Sequence, residues 1–373
     1  MKLLFTIPKL TYSGAPKMMA WVANQMAMRG HEVHLVTFFS EEQARILHEN
    51  ICIHSLQVKQ SKKRLIRNTL GMFKTIARLH KKVRQLKPDV VVSFLDSVGY
   101  VYLPIGSAFT RSKFVVSERV DPYAYRGRTA KLRFQLMQYA DAIVFQTEGA
   151  RRFFESFKGI YHNSTVIPNP VVVSDEIRTM QQHVPSAAER DRRIVTVGRM
   201  SLKQKRQDVL LEAFRLFHEK HPGYMLVLYG DGQDMDKIKD LIEQSNLSDS
   251  VVLAGRTNQV EKEIFCASAF VLSSDYEGIP NALIEAMSIG VPSVSTDCSP
   301  GGAALLIRDG ENGFLVPRED ATAIAERLSR IVETPEISER ISKAAIEITD
   351  FFSEQIIADK WESYFEHVVN NKE

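Results

Sequence analysis

Apolar residues along this chain fall into two kinds of stretch. Short stretches that read as strands, most of them largely apolar, occupy residues 3–7, 33–38, 51–56, 90–95, 114–117 and 142–146, and a second series occupies 194–197, 225–229, 251–254, 269–272, 293–296 and 314–316. Between them lie longer segments whose apolar positions recur every three or four residues. Runs of this length alternating with helical-period segments predict parallel strands joined by crossover helices, so the pattern implies an α/β protein with two doubly wound sheets. Ligands are then expected beyond the carboxyl ends of the strands and in a cleft between two domains. The turn Pro168-Asn169-Pro170 and the polar, weakly patterned residues after it mark the join. The expected division is a first domain over 1–172, a linker over 173–193 and a second domain over 194–352. A last helical segment begins at Ser353 and carries Ile356, Ile357, Trp361, Tyr364 and Phe365.

Composition narrows the class. With 373 residues, 44% of them hydrophobic and 25% charged, the chain has an ordinary globular composition and enough length for two cores. The run at 3–7 is too short for the core of a signal peptide and far too short to span a membrane, so it is read as a first strand. Cys52, Cys266 and Cys298 lie far apart without the paired spacing of a metal site, and are expected as reduced thiols in a cytoplasmic protein. The net charge of +3 hides an asymmetry: residues 1–170 hold 26 Lys and Arg against 11 Asp and Glu, while the remainder holds 22 against 34. The densest basic stretch contains Lys59, Lys62, Lys63, Arg64, Arg67, Lys74, Arg78, Lys81, Lys82, Arg84 and Lys87, without an acid. Leu65, Ile66, Leu70, Met72, Phe73, Ile76, Leu79, Val83 and Leu86 interleave with these charges at mostly helical spacing. That is the pattern of an amphipathic helix on an anionic membrane surface, and also of a surface helix whose apolar stripe is core. No nucleic-acid-binding motif accompanies the charge, so nucleic acid is not expected as a partner.

Loops that follow predicted strands carry residues suited to a phosphorylated ligand. In Ser274-Asp275-Tyr276-Glu277-Gly278-Ile279-Pro280-Asn281-Ala282-Leu283-Ile284-Glu285-Ala286-Met287, two glutamates eight residues apart bracket a glycine, a proline and a helix start. Pro280 suits the first turn of that helix, whose free N–H groups can face a diphosphate. Glu285 is placed to accept the hydroxyls of a ribose and Glu277 to face the group that the diphosphate carries; the same acids would also stabilise a helix N-terminus through its dipole. After the first strand, Thr11-Tyr12-Ser13-Gly14-Ala15-Pro16 precedes a helix over 17–28 that Gly30 closes. Gly14 lets backbone approach a phosphate there, with Ser13 as a further donor; a plain turn is the other reading. Gly198-Arg199-Met200-Ser201-Leu202-Lys203-Gln204-Lys205-Arg206 offers the guanidinium of Arg199 and an ammonium, from Lys205 or Lys203, to the charge that gathers on a departing nucleoside diphosphate. Tyr229-Gly230-Asp231-Gly232-Gln233-Asp234-Met235 is not a dinucleotide fingerprint, because Met235 stands where a third glycine is required. Asp231 reads as a turn former, and Asp234-Met235-Asp236 as acids at a helix start, so no metal is expected. Cys298 has no histidine near it in the sequence and is not expected as a nucleophile; its loop, Thr296 to Gly302, can give N–H groups to a diphosphate.

Together these elements resemble the retaining glycosyltransferases of family 4, the group 1 transferases with the GT-B fold. The resemblance runs over nearly the whole chain and is strongest from Val195 to Pro317. It implies two facing Rossmann-like domains, with the nucleotide sugar held by the second, the acceptor by the first, and a C-terminal helix at 353–373 crossing back to the first. Arg199, Lys205 and Glu277 would be the catalytic set, and Ser13, Gly14, Gly198, Gly230, Gly278, Ile279, Pro280, Asn281, Leu283 and Glu285 the donor-binding set. The family usually has two adjacent glycines and a glutamate after the first strand, where this chain has Ser13 and Pro16. The spacing from Arg199 to Lys205 is one residue longer than the commonest family form, which leaves Lys203 as the other candidate. Many relatives have a histidine near Ser117-Glu118-Arg119-Val120-Asp121-Pro122; here Glu118, Arg119 and Asp121 are the acceptor-side candidates, unless Glu118 simply pairs with Arg119 or a neighbouring base. The implied reaction is metal-independent transfer, with retention, of a hexosyl unit from a nucleotide-diphosphate sugar, expected to be a UDP-sugar, to a glycan acceptor. The basic half favours a lipid-linked precursor of a surface polysaccharide and a peripheral place on the inner face of the cell membrane. A non-catalytic sugar-nucleotide-binding subunit and an epimerase of similar architecture are the alternatives; Arg199, a lysine, Glu277 and Glu285 together favour activity.

Overall fold

The computed structural model describes residues 1–11, 14–39, 47–58, 64–94, 97–125 and 127–371, with side chains at all of these except 14, 64–70 and 97. Ser13, Lys59, Lys62 and Lys63 lie outside the described residues. The chain divides into two compact units, Met1–Asn169 with Gln355–Glu373, and Pro170–Glu354.

In the first unit seven strands, β1 (Lys2–Ile7), β2 (Glu32–Thr37), β3 (Cys52–Ser55), β4 (Val90–Phe94), β5 (Lys113–Ser117), β6 (Ala142–Phe145) and β7 (Ser164–Val166), form a parallel sheet in the order β3-β2-β1-β4-β5-β6-β7. Helices on both faces of such a sheet demand strands apolar on both faces, and every residue of β4 and β6 is buried. The short edge strand β7 was not predicted, because its three residues include Ser164 and Thr165 and form no apolar run. The helix Gly14–Met28 turns Met19, Val22, Ala23 and Met26 inward, and it ends at Gly30, whose φ of +84° suits a residue without a Cβ. In the basic helix Arg64–Leu86, the described part of the stripe is largely core: Ile76, Leu79 and Val83 are buried, while Phe73 is 65% exposed. The last helix, Glu354–Asn370, belongs to this unit. Ile357, Trp361, Phe365 and Val368 share its inner face, and Trp361 stacks on Phe94 with ring centroids 6.0 Å apart. Glu362 takes Arg29 and His31, and the Tyr364 hydroxyl donates to the Asn163 carbonyl at 3.1 Å.

In the second unit β8 (Asp191–Val197), β9 (Met225–Tyr229), β10 (Val251–Gly255), β11 (Ala267–Leu272), β12 (Ser293–Thr296) and β13 (Phe314–Val316) form a parallel sheet in the order β10-β9-β8-β11-β12-β13. Much of the stretch read as a linker is folded into this unit. Ser174 accepts from the Ile177 N–H and caps a helix at Asp175–Gln182, Ile177 enters the core, and β8 already begins at Asp191. The strand order reverses once in each sheet, between β1 and β4 and between β8 and β11. Crossovers diverge at such a point and leave a crevice outside the carboxyl ends of the two strands.

Candidate active site

The sequence after β8 and the sequence after β11 meet at the switch point of the second unit. Beyond β8, three loops are laced by backbone bonds: Gly198 N–H to the Tyr229 carbonyl at 2.9 Å, Met200 N–H to Asp231 at 3.1 Å, and Gly230 N–H to Gly255 at 2.7 Å. Gly230 is required by that contact, since a Cβ there would lie 1.8 Å from the Gly198 carbonyl oxygen. A cavity of about 300 Å³ opens among these loops, lined by Gly198, Arg199, Gly230, Asp231, Arg256 and Thr257. Arg199 is exposed at its edge. Asp231 does act in its turn, accepting from the Gly232 N–H at 2.7 Å, and it also pairs with Arg256 at 3.2 Å.

The short helix Leu202–Lys205 follows, and the two lysines in it part company. Lys203 is exposed, whereas the Lys205 chain passes over Gly198, where an added Cβ would stand 3.2 Å from its Cε. Lys205 Nζ then reaches Glu277 Oε1 at 2.5 Å, with both side chains mostly buried. Ser274 Oγ donates to the same carboxylate oxygen at 2.8 Å. The loop after β11 is held in register by bonds the sequence does not announce: Asp275 N–H to Gln204 at 2.9 Å, Gln204 Nε2 to the Tyr276 carbonyl at 3.2 Å, and Glu277 N–H to Ser299 at 2.8 Å. Ser274, Gln204 and Asp275 are the supporting residues that sequence reasoning missed. The partners of Gln204 and Asp275 lie about 70 residues away, so no local spacing signals them, whereas Ser274 reaches Glu277 three residues on.

Pro280 precedes the helix Asn281–Ser288 instead of entering its first turn: its carbonyl accepts from the Leu283 and Ile284 N–H groups while its own backbone stays extended. Glu285 is partly exposed, one turn beyond Asn281 on the same face. Ile279 and Leu283, both in the expected donor-binding set, are buried in the core, so neither presents its side chain at the surface. Gly302 starts the next helix, Gly302–Leu306, and a Cβ on it would lie 1.9 Å from the Gly278 carbonyl oxygen. Cys298 is fully buried, and burial pushes its thiol up to about 12, which removes the thiolate a nucleophile needs. Asp234 spends one carboxylate oxygen on Lys237 and the other on the Leu202 N–H, and these bonds, the one to Lys237 above all, hold it below its usual range. Among the described residues no three His, Cys, Asp or Glu side chains converge as a metal ion requires.

The acceptor-side candidates belong to the first unit, and all three are buried there. Glu118 does not pair with the Arg119 side chain. It takes Arg133 at 2.7 Å, the Tyr100 hydroxyl at 3.0 Å and the backbone N–H groups of Arg119 and Val120, and burial raises its pKa. Arg119 instead donates to Ser117 and Asn169 and lies over the rings of Phe94 and Trp361. Asp121 caps the turn Pro122–Ala124. Each is tied into the fold, and none presents an exposed head to an acceptor.

Two family models match consecutive parts of the chain: "Glycosyltransferase Family 4" over residues 12–175 and "Glycosyl transferases group 1" over 178–348. An uncharacterized glycosyltransferase of Methanocaldococcus jannaschii is 27% identical over 352 residues, covering 80% of this chain and 85% of that protein. The GalNAc-alpha-(1->4)-GalNAc-alpha-(1->3)-diNAcBac-PP-undecaprenol alpha-1,4-N-acetyl-D-galactosaminyltransferase of Campylobacter jejuni is 24% identical, with 99% of each chain covered. Among solved structures, sucrose-phosphate synthase from Thermosynechococcus elongatus superposes with a TM-score of 0.80 at 18% identity over the whole of both chains. Anabaena Alr3699/HepE in complex with UDP gives 0.78 at 18% identity over 98% of this chain and all of that one. Among the described residues no helix is long and apolar enough to cross a membrane.

Proposed function

The chain belongs to the group 1 glycosyl transferases of the GT-B fold, and we propose that it is a retaining, metal-independent hexosyltransferase that takes a UDP-sugar as donor and a lipid-linked glycan precursor as acceptor. The observation that carries the donor-site reading is the Lys205–Glu277 contact at 2.5 Å, made outside the carboxyl ends of β8 and β11 on the same loop as the exposed Arg199. In this reading Arg199 and Lys205 take the diphosphate, Lys205 exchanging its carboxylate partner for phosphate oxygen when the donor binds. Glu277, released, orients the hydroxyls of the sugar, and Glu285 accepts those of the ribose. The bond from the anomeric carbon to the diphosphate breaks with its electron pair going to the phosphate oxygen. The acceptor oxygen bonds to the same face of that carbon, and its proton passes to the leaving phosphate. Two fixed cations supply the charge stabilisation that a divalent metal gives elsewhere.

The UDP preference is supported by the solved complex of HepE with UDP, and the lipid-linked acceptor by the Campylobacter relative, whose name specifies a polyprenol diphosphate. A peripheral seat on the inner membrane face is supported by the exposed cations of the helix Arg64–Leu86. The test begins with thermal stabilisation by a panel of nucleotide sugars. UDP release and the anomeric configuration of the product, read by NMR, follow for the best donor. Turnover is expected to persist in EDTA with the donor's configuration kept. An inverted product, or turnover abolished by EDTA and restored by Mn²⁺ or Mg²⁺, would overturn the mechanism, and binding without turnover would favour the non-catalytic subunit.

A further inference from the structure

Arg206 occupies a position that its backbone does not favour. Between the helices Leu202–Lys205 and Gln207–Lys220 it adopts φ +49° and ψ +49°, the left-handed region where a Cβ is strained and glycine is not. The side chain supplies the reason for arginine. Nε and Nη2 donate to Asp208 at 3.1 and 3.0 Å, while Nη1 reaches Asp275 at 3.0 Å and Glu319 at 2.5 Å. Arg206 follows Lys205 directly, and Asp275 stands two residues before Glu277. The ion pair therefore joins the two segments at the very place where their functional side chains meet. A planar guanidinium can bond several carboxylates at once from fixed directions, whereas an ammonium is a point charge on a flexible stem.

We propose that Arg206 is a positioning residue for the transfer reaction: through Asp275 it holds the Glu277 loop against the turn of Lys205 and so sets the Lys205–Glu277 contact, without touching the donor itself. The proposal rests on the reading of that pair as donor-site residues. Its test uses Arg206→Gly, Arg206→Lys and Asp275→Asn in the full chain, with two readouts. Limited acetylation followed by mass spectrometry compares Lys205 with the exposed Lys203 of the same molecule. Because Glu277 shields Lys205 in the parent, the Lys205 to Lys203 ratio should rise about fivefold in Arg206→Gly and Asp275→Asn, and less in Arg206→Lys. In the same variants kcat for the best nucleotide sugar should fall by about tenfold or more, with the donor KM changed far less. Glycine relieves the backbone, so the melting temperature of Arg206→Gly should stay close to that of the parent; if that variant fails to fold, Asp275→Asn carries both readouts. An unchanged acetylation ratio, or a raised ratio with kcat retained, overturns the proposal. If the ratio rises while the parent turns over no nucleotide sugar, the transferase reading fails and the placement of Lys205 by Arg206 stands.

Discussion

Glu285 stands partly exposed between the buried Ile284 and Ala286, on the helix that follows the Glu277 loop. Replacing it by alanine should leave folding within about 0.5 kcal/mol of the parent, as surface changes generally do. Hydrogen bonds to a charged acceptor are worth roughly 1.5–3 kcal/mol each, so the same substitution should weaken UDP binding by about ten- to a hundredfold. Calorimetry with UDP checks this, and an unchanged Kd would remove the ribose role from Glu285. At this scale residue types are legible in the sequence and their spatial neighbours are not. The sequence left Lys203 and Lys205 open because both follow Arg199 at plausible spacing. Only the folded turn separates them, sending one chain over Gly198 and the other to solvent. The pairing of Glu118 is hidden for the same reason: its partner Arg133 lies 15 residues on, in a helix that the carboxylate meets only through packing.

Most strands and the loops after them were legible because a buried parallel strand is rich in apolar residues, and such stretches recur in order here, although β12 (Ser293–Thr296) holds a single apolar residue. The elements that escaped are those without that signal. Strand β7 is short and polar, and the helix Asp175–Gln182 places only Ile177 fully in the core, although Ser174 before two acids was a start signal that could have found it. What no local pattern could show is how closely loops approach one another, and glycines mark those places. Gly302→Ala would push a Cβ against the Gly278 carbonyl, a backbone atom that cannot turn aside. Overpacking of this kind costs about 1–3 kcal/mol, and it would part the loop of Glu277 from the segment that follows β12. Both the melting temperature and the UDP affinity should therefore fall. Gly30→Ala supplies the contrast, since a Cβ there meets nothing within 4 Å and only the left-handed backbone resists. That substitution in the first unit should lower stability by about 1–2 kcal/mol and leave UDP affinity unchanged. Equal UDP affinities for Gly302→Ala and the parent, measured by calorimetry, would show that the two loops tolerate separation.

Charge is distributed over the molecule much as the two units divide it: the basic excess falls in residues 1–170 and the acidic excess in the rest. Arg199, Lys205, Glu277 and Glu285, the residues proposed for the donor, lie in the second unit, so they leave the excess of cations on the first unit unaccounted for. An amphipathic helix inserted into lipid would need its apolar stripe free, and Ile76, Leu79 and Val83 are spent on the core. What remains outward in the described part is Phe73 with Lys74, Lys81, Arg84 and Lys87, a surface suited to electrostatic adsorption more than to insertion. Each basic residue near an anionic bilayer contributes about 1 kcal/mol, and the attraction reaches only about 8 Å at physiological ionic strength. Binding to liposomes should therefore require anionic lipid and disappear as salt is raised. Phe73→Ala should weaken it only modestly. Reversing Lys62, Lys63, Lys81 and Lys82 to glutamate changes the local charge by eight units, and it should abolish co-sedimentation with anionic vesicles while UDP affinity stays at the parent value. Salt-resistant binding would show that insertion dominates, against the buried stripe. If the reversed variant sediments as well as the parent, the helix is an ordinary solvated surface, and the case for a membrane-borne acceptor rests on resemblance to the Campylobacter enzyme without support from the charge of this chain.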